Sequence, residues 1–505
     1  MSSAKEPVTR RFGNGLTVLI KEDKSHPVVS LQYWVGTGSM NEGHWQGSGL
    51  SHLLEHLVFK GTEHYSGQDL ARKVQERGGH WNAYTSVNRT VYYIDGPADS
   101  WQIFLNLLTE LVFFPTFPED ELEREKGVVR REMAMYADDP DSVAYQLLMQ
   151  TLYLKHPRRW PVLGEPAAFD CLTRQDVLDY HASRYVPNNV VLSIAGDVDA
   201  AEIFSHLELL VEDLKSRPLN RELIPHEPHQ FGSRRVRKEF AVPYSKLNLA
   251  WRLPCSGHPD TPALSALASI LGGGRSARFY GKFHDRLGLV YSIEVHSNQS
   301  ETDEGAFTIS IDVDRAQRDK VRDLVLQELR NLAQEDFTED LKRVCKQTRV
   351  SRLRRRSSAA GVASEMGADW FGARNLNLSS EWQEAIERVT TEDLHRVCST
   401  WLSSPNVTEV SLDPVGSNAA EEDGSAAGTE TALSEHVLGN GMKVVIREDH
   451  RLPLAYACLA FKAGCRAENE HDAGVTDLMS ECLLKGTATR SAGDIARFLE
   501  DIGGA

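Results

Sequence analysis

Apolar and polar residues alternate along Leu16–Ile20 and Val28–Val35, which predicts two strands around a polar turn at Glu22–His26. Val190–Ala195 is apolar at all positions but Ser193 and predicts a buried strand. Elsewhere apolar residues return every three or four positions. This spacing predicts helices over Gly49–Phe59, Ser66–Arg77, Ser100–Val112, Pro118–Tyr136 and Asp141–Tyr153. Thr173 precedes Asp176 by three residues, and Thr390 precedes Asp393 in the same way, so two more helices should begin there with capping residues. Each is followed by a Pro-Asn turn and an apolar strand. Strands interleaved with runs of helices, twice over, place the chain in the α+β class. The expected architecture is two similar half-domains, each a mainly antiparallel sheet with helices on one face.

The chain also repeats itself. FGNGLTVLIKEDKSHP, residues 12–27, returns as LGNGMKVVIREDHRLP at 438–453. Eight of the sixteen positions are identical, where chance gives about one. LVFKGTEHYSGQDLARKVQERGG, residues 57–79, returns as CLLKGTATRSAGDIARFLEDIGG at 482–504. A module of about 425 residues therefore restarts near residue 433. A weaker echo between residues 172–199 and 389–414 divides the first module into halves, with a Pro- and charge-rich junction at 216–235. The expected organisation is a first half-domain over residues 1–220 and a second over 221–415, of which the family resemblance given below implies that the first is catalytic and the second inactive. An acidic, Ser/Gly-rich linker at 416–432 and the start of a second module at 433–505 follow. That second module breaks off at Ala505, roughly 350–380 residues short of the first.

Composition narrows the classes of function. A chain of 505 residues is too long for one core, and 41% apolar with 25% charged residues is an ordinary globular mix. Against 72 acidic residues stand 56 basic ones, a net charge of −16 that argues against a nucleic-acid partner. The basic stretch RVSRLRRRSS at 349–358 accordingly reads as a solvated helix face. LGGGRSARF at 271–279 lacks the GKS/T of a phosphate loop and reads as a helix-capping turn. No apolar run approaches the roughly 20 residues that span a bilayer. The opening MSSAKEPVTRRFGNG has no apolar segment of a signal peptide, so the expected location is cytoplasmic, or periplasmic if the true N-terminus is longer. Seven cysteines without a CxxC pair suit a reducing compartment.

The chemistry concentrates in HLLEH, residues 52–56. His52 and His56 stand at i and i+4, on one helical face, where both rings can reach one ion. Glu55 projects beside them. Two imidazoles suit Zn²⁺, and a neighbouring carboxylate can take a proton from a water that the metal activates. A catalytic zinc takes a third protein ligand and keeps a fourth position open. Glu125 and Glu132, both within Pro118–Tyr136, are two helical turns apart and face the same way, so either is a candidate. Such a ligand set also accepts Mn²⁺ or Co²⁺.

With these residues in view, the chain resembles the pitrilysin and insulin-degrading enzyme family of inverted (HxxEH) zinc peptidases. It is most similar to the branch containing the mitochondrial processing peptidase. HLLEH, then Glu125 and Glu132, carry the resemblance, and GGHWNAYTSVNRTVYY at 78–93, YVPNNVVLSIAGDVD and GLVYS add to it. It extends from Arg11 to about Asp413 and restarts at Leu438. The resemblance implies a clamshell-half peptidase fold and a zinc metalloendopeptidase that cleaves peptides or small unfolded proteins. One Zn²⁺ per chain would be held by His52, His56 and Glu132, with Glu55 as general base. Glu125 would orient the zinc helix from outside the ligand set. Asn82 and Ala83 would lie on an edge strand to which the substrate adds as a further strand. Tyr291 would approach the substrate carbonyl, although His284 stands where the family carries an Arg seven residues before that Tyr.

The second copy departs from this pattern. Asp477, Ser480 and Glu481 stand where the first copy has His52, Glu55 and His56. In two-module members an inert half closes over the active one. The expected partners are therefore a peptide substrate and, as lid, either a C-terminal module or a second chain. Without a lid, Val444–Ile446 and Leu454–Phe461 should be exposed. Two functions are compatible with the resemblance: the zinc endopeptidase, and a catalytically silent scaffold or partner subunit of a peptidase-like complex. The intact HLLEH, Glu125 and Glu132 favour the enzyme.

Overall fold

The alternating segments form two sheets. In the computed structural model, β1 (Val8–Arg11), β2 (Thr17–Glu22), β3 (Val28–Val35), β4 (His80–Thr85), β5 (Thr90–Pro97) and β6 (Val190–Gly196) lie in the order β1-β2-β6-β3-β5-β4. The second sheet contains β7 (Arg234–Phe240), β8 (Ser245–Leu253), β9 (Ser292–Asn298), β10 (Gly305–Val313) and β11 (Thr408–Pro414), in the order β7-β11-β8-β10-β9. Apart from β1, the two sheets share one topology. β2 runs parallel to β6 as β7 does to β11, and the other neighbours are antiparallel. The structure describes residues 6–219, 222–300, 304–402, 405–416 and 434–446, together with 464, 468, 474–483, 485–491 and 494. The chain divides into two compact units, Met1–Asp423 and Gly424–Ala505.

Between the strands of the first sheet come α1 (Leu50–Val58), α2 (Gly67–Glu76), α3 (Trp101–Phe113), α4 (Glu119–Asp138), α5 (Pro140–Leu152), α6 (Pro166–Asp170) and α7 (Arg174–Arg184), and α8 (Ala200–Leu210) follows β6. The second half contributes α9 (Thr261–Gly272), α10 (Arg318–Asn331), α11 (Thr338–Arg355), α12 (Ala359–Ala373), α13 (Leu378–Glu387) and α14 (Thr391–Val397). The five helices predicted from apolar spacing are α1 to α5, with ends within two residues. Thr173 with Asp176, and Thr390 with Asp393, form reciprocal capping boxes that start α7 and α14. Each leads into the strand, β6 or β11, that takes the same place in its sheet. The basic stretch falls on α11, where Arg352 and Arg356 pair with the buried Glu365 of α12. α9 ends in the glycines that the sequence marks as a cap.

Strand periodicity sorts side chains to both faces of each sheet. Val18, Ile20, Leu31, Tyr33, Leu192 and Ile194 pack against the first half's own helices. Leu19, Trp34, Val91, Val191 and Ala195 face the other way and pack on Ala363 and Met366 of α12, a helix of the second half. The exchange is mutual: Leu148, Met149 and Leu152 of α5 cover Ala250, Ala306 and Val410 of the second sheet. Each half thus has its own helices on one face and a helix from the other half on the opposite face. That double cover explains why β6 is buried at every position. Polar contacts set the fit, since Gln32 Nε2 donates to the Ala360 carbonyl at 3.1 Å and Ser193 Oγ to the Ala363 carbonyl at 2.7 Å.

The start of α1 is fixed from outside the helix. Its capping residue, Gly49, is left-handed (φ 74°) and offers no side chain. A Cβ there would lie 2.0 Å from the Leu163 carbonyl oxygen. Glu42 replaces the missing cap: only 1% exposed, it accepts the Ser51 N–H at 2.8 Å on Oε1. The Tyr180 hydroxyl joins Thr37 Oγ1 (2.6 Å) to Ser51 Oγ (2.7 Å), tying the same turn to β3 and α7. Burial pushes the Glu42 carboxyl up to about 7, and the backbone donors oppose that rise.

In the second unit, β12 (Ser434–Val437) and β13 (Lys443–Ile446) pair antiparallel, as β1 and β2 do. α15 (Val475–Cys482) follows the left-handed Gly474 as α1 follows Gly49. The bridge Gly61↔Ser66 recurs as Gly486↔Ser491, and the Ser66–Asp69 cap as Ser491–Asp494. The sequence repeat is therefore a repeat of local structure. Val445 and Ile446 are exposed. Leu454–Phe461 and the linker from residue 417 to 432 lie outside the described residues, as do the side chains of Asp477 and Glu481. No helix among the described residues is long and apolar enough to cross a membrane.

Two outcomes test this packing. A Cβ on Gly367 of α12 would meet the Trp34 ring at 2.3 Å. Gly367→Ala should lower stability by about 1–3 kcal/mol in urea unfolding, despite the better helix propensity of alanine. An unchanged or higher midpoint would contradict the contact. Glu42 binds its proton more tightly folded than unfolded, so its contribution to stability falls as pH rises from its ordinary value of 4.5 to about 7. The slope reaches at most about 1.4 kcal/mol per pH unit. In the metal-free chain, Glu42→Gln should remove that slope; equal pH dependence in both proteins would contradict it.

Candidate metal centre

α1 is amphipathic in the way its sequence demands. Leu50, Leu53, Leu54, Leu57 and Val58 enter the core, leaving His52, Glu55 and His56 on the remaining face. α4 presents Leu122, Glu125, Lys126 and Val129 along one buried stripe, and Glu132 continues it one turn later. Lys126 anchors the helix by donating to the carbonyls of Asp170 (3.1 Å) and Leu172 (2.8 Å). The stripe faces α1.

The result is a group of three donors. The Nε2 atoms of His52 and His56 each lie 3.8 Å from the same Oε2 of Glu132, and all three donor atoms fall within 4.8 Å of one another. Ligands about 2.1 Å from a tetrahedral ion are roughly 3.4 Å apart, so the three side chains fit a shared cation with little movement. Among the described residues no other such His, Cys, Asp or Glu group occurs. His56 donates from Nδ1 to Glu125 Oε2 at 3.1 Å, which leaves its Nε2 lone pair free on the Glu132 side. The other Glu125 oxygen holds Lys60 Nζ at 2.7 Å. Nδ1 of His52 is buried without a partner.

The electrostatics follow from these contacts. Burial, and then the neighbouring His56, push His52 down to about 4, so it offers a neutral ring. Burial opposes the charge on His56, but the Glu125 hydrogen bond and the three surrounding carboxylates raise its pKa. Burial likewise opposes ionisation of Glu125, and His56 with Lys60 outweighs it and lowers the value. Glu55 is raised, chiefly by burial, although Thr85 Oγ1 donates to its Oε2 at 2.5 Å.

Thr85 lies on β4, which pairs only with β5 and so forms the edge of the sheet. Trp81 packs edge-on against Phe59, just past the end of α1, and Ala83 packs on the same core. Asn82 alternates to the opposite, exposed face, and its Oδ1 accepts the Ala83 N–H at 2.8 Å. The structure therefore gathers His52, Glu55, His56, Glu125, Glu132 and the strand carrying Asn82 and Ala83. Tyr291 is not drawn into this group by any contact among the described residues. Its exposed hydroxyl donates to Asp314 at 2.8 Å and its ring lies beside Tyr244. His284 stacks on Tyr280 and bonds Asp285. Sequence reasoning missed Thr85 and Lys60. Lys60 stands four residues after His56, and Thr85 shares the two-residue alternation of Trp81 and Ala83, but the pairing of β4 beneath α1 is a tertiary fact.

Comparison with known proteins agrees with this geometry. Residues 17–165, and again 443–505, match the family described as insulinase (peptidase family M16). Residues 172–347 match the peptidase M16 inactive domain. A Rickettsia felis protein named an uncharacterized zinc protease is 27% identical, over 78% of this chain and 94% of its own length. The probable mitochondrial-processing peptidase subunit beta of Arabidopsis thaliana is 24% identical, over 82% of this chain and 79% of its own. Among solved structures, a protease from Helicobacter pylori superimposes with a TM-score of 0.74 at 26% identity, covering 81% of this chain and all of that one. With both domain types matched in order and the first matched a second time after residue 443, the chain belongs to the M16 peptidase family.

Proposed function

We propose that the chain is a zinc-dependent metalloendopeptidase acting on peptides or small unfolded proteins. The observation that carries this reading is the placement of two imidazole Nε2 atoms 3.8 Å from one Glu132 oxygen, with Glu55 one residue before His56. The names of the relatives, zinc proteases among them, point the same way.

His52, His56 and Glu132 would hold the ion, one per chain. Bound zinc supplies Lewis acidity, lowering the pKa of a water and polarising the scissile carbonyl. The chain's own groups do the rest. Glu55, with Oε2 engaged by Thr85, takes the proton of the attacking water on Oε1 and returns it to the leaving amine. Glu125 keeps the His56 proton on Nδ1 and so keeps Nε2 available. A peptide would add to the open edge of β4 as a further strand, first displacing the Asn82 side chain from the Ala83 N–H. Main-chain pairing of this kind tolerates varied side chains. Tyr291 stands just before β9 of the second sheet, with its hydroxyl on Asp314, and a facing module or second chain would act as lid.

Three substitutions separate these roles. Glu55→Gln should abolish cleavage of a quenched peptide while zinc content stays at one per chain. Turnover near wild type with zinc bound would remove Glu55 as base. Glu132→Gln should lose metal affinity outright, and Glu125→Gln should weaken it by about 10–100-fold. Equal zinc binding in all three variants, measured by competition with a chromophoric chelator, would refute the ligand set.

A further inference from the structure

A cavity of about 680 Å³ opens between the first sheet and the C-terminal end of α12. None of the metal-centre residues lines it. Met40, Val191 and Phe371 give it an apolar floor, and four asparagines, Asn41, Asn88, Asn188 and Asn189, share the lining with two arginines, Arg11 and Arg374. Among the described residues no acidic side chain lines it, in a chain with 72 of them.

Neither guanidinium has an ion-pair or hydrogen-bond partner among the described residues. The contrast with Arg10 is direct, since Arg10 pairs with Glu208. Arg374 also occupies an unusual backbone position. It caps α12 in the left-handed region (φ 54°, ψ 29°), where glycine is the ordinary residue, and only Phe117 shares a positive φ among the described non-glycine residues. An arginine serving only the helix dipole would bond the last carbonyls of α12, which Arg374 does not do, and that role would leave Arg11 unexplained. Partial burial, and then the neighbouring charge of Arg11, lower the Arg374 pKa.

Guanidinium groups bind carboxylate and phosphoryl oxygens in bidentate fashion. The volume is that of a small-molecule site, and the apolar floor suits a ligand with a non-polar body. We propose that this cavity binds a small organic anion, a carboxylate or phosphoryl group on an apolar body, through Arg11 and Arg374.

Calorimetric titration of the full chain with phenyl phosphate, 3-phenylpropionate and inorganic phosphate tests this. One saturable site is expected for at least one phenyl compound, and the tighter of the two identifies the head group as phosphoryl or carboxylate. Arg11→Ala and Arg374→Ala should each weaken binding by about tenfold or more, the double variant should abolish it, and Arg10→Ala should leave it unchanged. Arg374→Gly removes the side chain and relieves the backbone, so it should raise the thermal midpoint while losing the same affinity. That pairing excludes misfolding as the cause. Absence of saturable binding for both phenyl probes up to about 10 mM would overturn the proposal. So would undiminished binding in the double variant. Equal affinity for inorganic and phenyl phosphate would overturn the role of the apolar floor.

Discussion

The carboxylate of Glu42, buried against the first turn of α1, sets the register on which the rest of the site depends. α1 has nine residues, and its capping glycine contributes no side chain. With so little helix, a rotation of the first turn would move both imidazoles together. Glu42 holds the Ser51 N–H, and Tyr180 holds the Ser51 hydroxyl. Ser51 immediately precedes His52, so the restraint acts one residue from the first ring. The helix dipole favours charge in that position, but burial outweighs it and raises the Glu42 carboxyl to about 7.

The two halves are joined by exchange rather than by simple contact. α12 closes the outer face of the first sheet and α5 that of the second. α5 follows α4 after a single residue, Asp139, whose side chain caps it through Ser142. The helix that carries Glu125 and Glu132 is therefore continuous, but for one corner, with the helix buried against the other half. The position of Glu132 relative to α1 thus depends on packing in both sheets. A site built this way is preorganised by scaffold elements, not loops.

Much of this was legible in the residues. The i, i+4 histidines, the seven-residue step from Glu125 to Glu132, the capping boxes and the repeats all appear where spacing predicts, because each is local or periodic. Spacing alone left Glu125 and Glu132 equivalent. The fold separates them: Glu132 meets both Nε2 atoms, and Glu125 stands behind His56 on Nδ1. The cover of each sheet by the other half's helix was not legible, since Trp34 and Gly367 meet across more than 300 residues. Glu42 lies in NEGHWQG, where no periodicity or motif marks it, and only its tertiary surroundings show it buried.

On the function proposed above, α1 and α4 form one zinc site from two imidazoles and a carboxylate. X-ray absorption at the zinc edge of the stoichiometrically loaded chain tests it most directly. The expected result is a four-coordinate shell of nitrogen and oxygen at about 2.0–2.2 Å, with the multiple-scattering signature of two imidazoles. A sulfur shell near 2.3 Å, or a shell of six oxygens without imidazole scattering, would contradict it.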